Sequence, residues 1–130
     1  MVHPLSRGRY EVRTRVYVAG PISVGDIRAN CLRAVKMGFA LMDAGYAPYV
    51  PHYSWFVDVD STIGKGRYEQ WLSLDKSWIS ICDALLRLSG TSVGADREVA
   101  WAKSIGVPVY YDLQALLDNV KPTQFLEVTG

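Results

Sequence analysis

Residues 14–21, Thr-Arg-Val-Tyr-Val-Ala-Gly-Pro, indicate the fold class of this chain. The β-branched and aromatic residues predict a strand, which ends at Gly20-Pro21. Over residues 26–44 the apolar positions recur every three or four residues, which predicts a helix with Asp26 as its N-cap. Gly45 suits the left-handed position that follows a helix. A strand followed by a helix is the first half of a βαβ unit.

The alternation of strands and helices continues along the chain. Further strands are predicted at 46–50, 84–88 and 107–110, with a weak fifth strand at 125–128, and further helices at 67–82, 94–104 and 112–119. Strands that alternate with helices indicate a parallel sheet covered on both faces. We expect an α/β domain, a flavodoxin- or Rossmann-like three-layer sandwich with a four- or five-stranded parallel sheet in the order 2-1-3-4-5.

Length and composition exclude several classes of protein. The chain has 130 residues, of which 49% are hydrophobic and 21% charged, as expected of one soluble globular domain. We expect that domain to span residues 14–130, after a flexible arm at residues 1–13. The net charge of +1 gives no case for nucleic acid or a membrane as partner. Neither a membrane span nor a secretory signal is evident, so a cytoplasmic protein is expected.

The cysteines and histidines give no sign of a metal site. Cys31 and Cys82 are the only cysteines, and each lies in an apolar stretch. We expect both to be buried free thiols in a reducing compartment. His3 and His52 are far apart in the sequence and form no ligand cluster. Neither a metal nor an organic cofactor is therefore expected.

The topology predicts a binding site before any motif is considered. In such sheets ligands bind at the carboxyl ends of the strands, where the strand order reverses. This places residues 20–23, the loop at 52–66, residues 89–98 and Tyr111 along one edge. A loop of about fifteen residues is uncommon in a compact domain and usually functional. Its Trp55 and Phe56 are candidates to stack on a planar ligand, whereas His52 is equally well an ordinary loop histidine.

Asp75 occupies an unexpected position on the second predicted helix. It interrupts an apolar stripe that includes Trp71 and Trp78, both expected in the core. Burying an unpaired charge is costly, so Asp75 must be paired, be protonated or line a cavity. A buried cap, or a salt bridge to an arginine such as Arg87, is the alternative to a role in chemistry.

Glu98 is the second candidate acid. It follows the turn 89–94 and lies in the first turns of a helix, where backbone N–H groups favour an ionised carboxylate. Such a carboxylate suits a nucleophile if an acid nearby protonates the leaving group. A retaining glycosyl-transfer enzyme uses two carboxyl groups in this way. A glutamate that only supports its helix is the alternative.

The turn at residues 20–26, Gly-Pro-Ile-Ser-Val-Gly-Asp, leads from the first strand into the first helix. It can present backbone amides and the Ser23 hydroxyl to an anion at a helix N-terminus. An ordinary strand-to-helix turn explains these residues equally well.

Three segments resemble the nucleoside 2-deoxyribosyltransferase family. Residues 16–22, Val-Tyr-Val-Ala-Gly-Pro-Ile, resemble its opening strand and turn, and residues 75–83 its acidic helix. Residues 92–98, Ser-Val-Gly-Ala-Asp-Arg-Glu, followed by Gly-Val-Pro-Val at 106–109, resemble its nucleophile segment. The likeness covers roughly residues 15–110, with the motifs in the family's order.

The resemblance implies a role for each acidic residue. Glu98 would attack C1′ of the sugar, Asp75 would help protonate the departing base or orient the sugar, and Tyr17 would position the Glu98 carboxylate. Where many transferases carry an Asp for the sugar 5′-hydroxyl, this chain has Ser92. The neutral hydroxyl of Ser92 is compatible with a bound phosphate, whereas an Asp would repel it. Residues expected to contact substrate are Gly20, Pro21, Ile22, Ser23, His52, Trp55, Phe56, Ser92 and Gly94.

We therefore expect a nucleoside 5′-monophosphate N-glycosidase. It would release free base and a (deoxy)ribose 5-phosphate through a glycosyl-enzyme intermediate on Glu98. By resemblance, the protein would act on a small-molecule nucleotide as a homodimer or higher homo-oligomer. The alternatives are a nucleoside 2-deoxyribosyltransferase that exchanges bases and a non-catalytic nucleotide-sensing module.

Overall fold

Four parallel strands form the central sheet in the part of the chain that the computed structural model describes, residues 8–52 and 67–128. The elements in chain order are β1 (Gly8–Arg13), β2 (Arg15–Ala19), α1 (Ile27–Asp43), β3 (Ala47–Tyr49), α2 (Tyr68–Ile79), β4 (Ala84–Arg87), α3 (Val93–Ser104), β5 (Val109–Tyr110), α4 (Leu113–Asn119) and β6 (Thr123–Val128). The central sheet has the order β3-β2-β4-β5, and all its neighbouring strands are parallel. Helices cover both faces, so the arrangement is Rossmann-like.

Two apolar cores lie on opposite faces of this sheet. On one face, alternate residues of β2 and β4 pack against α1 and α4, with Leu41 and Leu116 fully buried. On the other face, Tyr17 and Leu85 pack against α2 and α3. Because successive side chains of a strand point to opposite faces, β2 and β4 contribute to both cores. Their burial on both sides explains their nearly continuous apolar sequences.

The helix starts follow side-chain capping. The predicted N-cap Asp26 accepts a hydrogen bond from the Ala29 amide at 3.0 Å, and Asp112 caps α4 in the same way at 2.8 Å. Ser92 caps α3 by accepting from the Ala95 amide at 3.0 Å. Gly45, with φ of +97°, follows the end of α1 as predicted. Local sequence thus fixes where these helices begin and end.

The two ends of the described chain differ from expectation. The prediction of a flexible arm is wrong for residues 8–13, which form β1, while residues 1–7 lie outside the described residues. The predicted fifth strand exists as β6, but it pairs antiparallel with β1 in a separate two-stranded sheet and does not join the parallel sheet. We call this two-stranded sheet, β1 with β6, the ribbon. Arg13 connects the ribbon to the end of α1 and the residue before β3, because its guanidinium donates to the carbonyl oxygens of Met42 and Tyr46.

Asp83 links the ribbon to the central sheet. Its Oδ2 accepts hydrogen bonds from the Arg15 amide at 2.8 Å and from the Gln124 side chain at 2.9 Å. The Arg15 Nε lies 3.5 Å from the same oxygen. One partly buried carboxylate therefore connects the start of β2, the start of β4 and β6.

We expect Asp83→Ala to lower the free energy of unfolding by about 1–3 kcal/mol, because it leaves the Arg15 amide and the Gln124 side chain without their acceptor. Urea unfolding measures the change. Asp43→Ala, at an exposed position, is the matched control and should change stability by less than about 0.5 kcal/mol. Equal effects of the two substitutions would show that Asp83 does not hold the sheets together.

Candidate active site

The carboxyl ends of β2, β3 and β4 meet at one edge of the sheet, as the topology predicts. A cavity of about 490 Å³ opens there. Its wall comes from the turn after β2, from the end of β3, from α2 and from the start of α3. The lining residues are Gly20, Ile22, Ser23, Val24, Pro51, Tyr68, Trp71, Leu72, Asp75, Ser92, Val93, Gly94, Ala95 and Glu98.

Glu98 and Asp75 line this cavity from different helices, and their side chains are close enough to interact directly. Glu98 lies in the second turn of α3 and is only 7% exposed, while Asp75 lies in the middle of α2 and is half-buried. The fully buried Tyr17, on β2, donates a hydrogen bond from its hydroxyl to Glu98 Oε2. The structure thus brings together the three residues expected to be catalytic, although they are far apart in the sequence.

Burial raises the pKa of both carboxyl groups. It raises the pKa of Asp75 to about 6 and that of Glu98 to about 8. The Asp75 charge raises the pKa of Glu98 further, whereas the hydrogen bond from Tyr17 opposes this shift. Since the two groups interact, both values belong to the pair, which holds one shared proton between about pH 6 and pH 8. Burial also raises the pKa of Tyr17, so its hydroxyl stays protonated and donates.

Arg87 does not pair with Asp75 in this structure. Its buried guanidinium lies 3.0 Å from Asp96 and donates to the carbonyl oxygens of Leu88 and Gly90. Arg87 therefore holds the turn that leads from β4 into α3, and its positive charge lowers the pKa of Glu98. Asp75 instead lines the cavity, which is the alternative compatible with a role in chemistry.

The turn after β2 is held close to the turn after β4. A side chain at Gly20 would lie 2.9 Å from Leu88 Cβ, and one at Gly90 would lie 2.8 Å from Pro21 Cγ. Both glycines are therefore required by the close approach of the two turns. This packing places Gly20, Ile22 and Ser23 on the cavity wall, opposite Ser92 and Gly94.

Pro21 and His52 do not border the cavity. Both are buried, and the ring nitrogen Nε2 of His52 lies 3.1 Å from the Pro21 carbonyl oxygen. Burial lowers the pKa of His52, so the neutral ring donates to that carbonyl. The expectation that these two residues contact the substrate stays a prediction; in this structure they support the turn from the side away from the cavity. Trp55 and Phe56 lie outside the described residues.

Two aromatic residues of α2 were placed wrongly by the apolar stripe. Trp71 is not core but lines the cavity, and Trp78 is 42% exposed. Tyr68, one turn before Trp71, also borders the cavity and receives a hydrogen bond from Arg97. The three-residue spacing of Tyr68 and Trp71 on one helix could have suggested a shared aromatic wall. Periodicity alone does not distinguish a side chain that faces protein from one that faces a cavity.

No group of three or more His, Cys, Asp or Glu side chains in the described ranges is arranged to hold a metal ion. Among the described helices, none is both long and apolar enough to cross a membrane.

Comparisons with known proteins give a family and a fold. A family model described as a domain of unknown function, DUF7768, matches residues 14–112. A search of curated protein sequences gave no match. Among solved structures, the 2-deoxyribosyltransferase of the psychrotolerant bacterium Bacillus psychrosaccharolyticus has a TM-score of 0.61 and 17% identity to this chain. The match covers 84% of this chain and 98% of that one, so the two share a fold.

We expect Glu98→Gln to stabilise the protein more at pH 8.5 than at pH 5. Glutamate in an unfolded chain titrates near about pH 4.3, and Glu98 in the folded protein near about pH 8. Between these values the folded state holds a proton that the unfolded state has lost, so stability falls as the pH rises. Glutamine cannot ionise and escapes this loss, so the stabilising effect of Glu98→Gln grows as the pH rises from 5 to 8.5.

Urea unfolding at both pH values tests this expectation. Glu69→Gln, on the exposed side of α2, is the matched control and should have little effect at either pH. A stability difference for Glu98→Gln that does not vary with pH would contradict a raised pKa for Glu98.

Proposed function

We propose that this chain, which belongs to the DUF7768 family of domains of unknown function, breaks the N-glycosidic bond of a nucleoside or nucleotide with Glu98 as nucleophile. The observation that carries the proposal is the pair of buried carboxyl groups, Glu98 and Asp75, facing one cavity with a tyrosine hydroxyl bound to Glu98. The solved structure with the same fold is named a 2-deoxyribosyltransferase and described as a biocatalyst for nucleoside synthesis. That name agrees with sugar transfer by two carboxyl groups.

The first step uses the pair in its singly protonated form. The form that reacts has Glu98 ionised and the shared proton on Asp75, and the hydrogen bond from Tyr17 to Glu98 Oε2 favours ionisation of Glu98. A carboxylate oxygen of Glu98 bonds to C1′ as the bond from C1′ to the base nitrogen breaks. The departing base takes the bonding electrons and a proton from Asp75. The product is a glycosyl ester on Glu98.

The second step decides between transfer and hydrolysis. In transfer, a nitrogen of a second base attacks C1′ and gives its proton to Asp75, while the ester bond breaks and its electrons return to the Glu98 carboxylate, which exchanges one base for another. In hydrolysis, water takes the place of the second base. Each step inverts C1′, so the two together retain its configuration. Base exchange is our principal proposal, because it is the activity in the name of the protein that shares the fold.

Hydrolysis of a nucleoside 5′-monophosphate is the second candidate, and Ser92 favours it. Ser92 lines the cavity and caps α3 through its hydroxyl oxygen, which leaves the hydroxyl hydrogen to donate. Asp75 and Glu98 are the only carboxylates among the described lining residues, so no acidic side chain at position 92 would repel a phosphate. Gly20, Ile22 and Ser23 of the turn after β2 line the same cavity.

The smaller expectations remain proposals beside this function. They are a cytoplasmic location, a homodimer or higher homo-oligomer, and a reaction that needs no cofactor.

We expect Glu98→Ala to abolish release of free base, because the variant has no nucleophile. Purified protein is incubated with each common ribo- and deoxyribonucleoside and its 5′-monophosphate, with and without a second base, and the products are separated by chromatography. A new nucleoside formed from the added base identifies the transferase. Base released only from a monophosphate identifies the hydrolase. Glu69→Gln is the control that keeps activity.

The outcome that contradicts catalysis is specific. A nucleotide that binds without turnover, with the same affinity for the wild-type protein and for Glu98→Gln, would indicate a sensing module.

We expect Ser92→Asp to separate the two enzyme candidates. Aspartate is as good an N-cap as serine, so α3 should keep its start. The added charge should lower kcat/KM for a 5′-monophosphate by about 10- to 100-fold, equivalent to about 1.4–2.7 kcal/mol, and leave that for the nucleoside nearly unchanged. Ser92→Asn is the neutral control. Equal effects of Ser92→Asp on both substrates would show that position 92 does not face the 5′ group.

A further inference from the structure

Three aromatic rings form a continuous stack beside the carboxyl pair. The ring centroids of Tyr17 and Tyr49 are 5.6 Å apart with planes at 28°, and those of Tyr49 and Trp78 are 5.4 Å apart at 23°. Tyr17 is fully buried, Tyr49 is half-buried and Trp78 is partly exposed. The stack therefore runs from the protein interior, where Tyr17 binds Glu98, to the surface of α2.

The sheet and α2 fix the members of this stack. Tyr17 on β2 is in register with Tyr49 on β3, so their side chains leave the sheet on the same face. Trp78 is three residues after Asp75 on α2, which places both on one side of that helix. Tyr49 thus contacts the residue that binds Glu98 and also the helix that carries Asp75.

Tyr49 and Trp78 are not among the described lining residues of the cavity, so they act on the reacting groups only through others. Tyr17 reaches Glu98 through a single hydroxyl, and the direction of that O–H depends on where the phenol ring lies. Stacked rings prefer a limited range of offsets and angles. A ring on one face of Tyr17 therefore restricts the position of its hydroxyl.

We propose that Tyr49 is a positioning residue for the carboxyl pair: its ring, supported by Trp78, holds Tyr17 where its hydroxyl donates to Glu98, and holds α2 where Asp75 faces Glu98. The kinetic consequence of this inference rests on the proposed function. The arrangement of the carboxyl groups does not, and it can be measured without a substrate.

The test compares Tyr49→Leu, which removes the ring, with Tyr49→Phe, which keeps it. The bond from Tyr17 favours the ionised form of Glu98, so weakening it raises the pKa of that group. We expect an upward shift of about 0.5–1 pH unit in Tyr49→Leu and almost none in Tyr49→Phe. Carbon NMR of protein labelled at the glutamate carboxyl groups follows the titration, and Glu98→Gln identifies the signal.

Two further variants keep the result interpretable. Tyr46→Leu removes a buried tyrosine from the opposite core, so it destabilises the protein without touching the stack and should leave the Glu98 titration unchanged. Trp78 is partly exposed, so Trp78→Leu should destabilise the protein less than Tyr49→Leu. If Tyr49→Leu does not fold, Trp78→Leu should shift the Glu98 titration in the same direction. An unchanged titration in the folded ring-removing variants would overturn the proposal, as would an equal shift in Tyr49→Phe, which would assign the effect to the hydroxyl.

Kinetics separate this inference from the proposed function. If the protein cleaves nucleosides, Tyr49→Leu should lower kcat by about 10-fold, leave KM within about twofold and move the limbs of the pH profile upward. A loss caused only by instability would leave those limbs in place. If the wild-type protein cleaves no nucleoside or nucleotide, the proposed function fails, and the NMR titration still decides the role of Tyr49.

Discussion

The hydroxyl of the fully buried Tyr17, on the central strand β2, donates a hydrogen bond to Glu98, which is only 7% exposed. A carboxylate so deeply buried needs a donor, because an ion without one is far more costly than the same ion in water. Tyr17 supplies that donor from β2, whose backbone is held on both sides by β3 and β4. The position of Glu98 is therefore set by the sheet as much as by α3.

In the proposed reaction, the second carboxyl group supplies the proton donor that the nucleophile Glu98 needs. Two carboxyl groups that share a site cannot both ionise near neutral pH, so the pair of Asp75 and Glu98 keeps one proton over the range in which a solvent-exposed pair would have lost both. A nucleophile and a proton donor are then present at the same time. Tyr17 biases the pair toward an ionised Glu98, while Arg87, behind the turn, favours the same charge. Tyr17 and Arg87 thus offset part of the rise in the pKa of Glu98 that burial and Asp75 cause.

The sequence predicted the elements well and their surroundings less well. Caps such as Asp26 and Asp112 are local signals, so the limits of α1 and α4 follow from a few neighbouring residues. The pairing of β1 with β6 joins the two ends of the described chain, and no local signal predicts such a contact, although residues 9–13 do alternate between polar and less polar side chains.

The candidate site shows the same division. Glu98, Asp75 and Tyr17 were predicted from motifs and from the placement of a carboxylate on an apolar stripe. The roles of Trp71 and Tyr49 were missed. The apolar stripe of α2 and the pattern of β3 indicate that a side chain is removed from solvent, but they do not identify the groups that it contacts. Trp71 faces the cavity, and Tyr49 faces Tyr17 only because of the register of β2 with β3. Registers depend on the whole sheet and not on either strand alone.

The two faces of the central sheet contribute differently to stability and to the site. This difference explains how the fold accommodates the ionisable cluster of Tyr17, Asp75 and Glu98. The face covered by α1 and α4 is packed almost entirely with aliphatic side chains, whose burial supplies stabilisation of roughly 1.5–3 kcal/mol each. The face covered by α2 and α3 contains Tyr17 and borders the carboxyl pair, whose ionised forms are disfavoured by burial. Since β2 and β4 belong to both cores, the aliphatic face holds in place the strands from which the reactive groups are positioned. Loss of an aliphatic contact on that face would therefore reach the site through the strands, without any residue there touching the cavity.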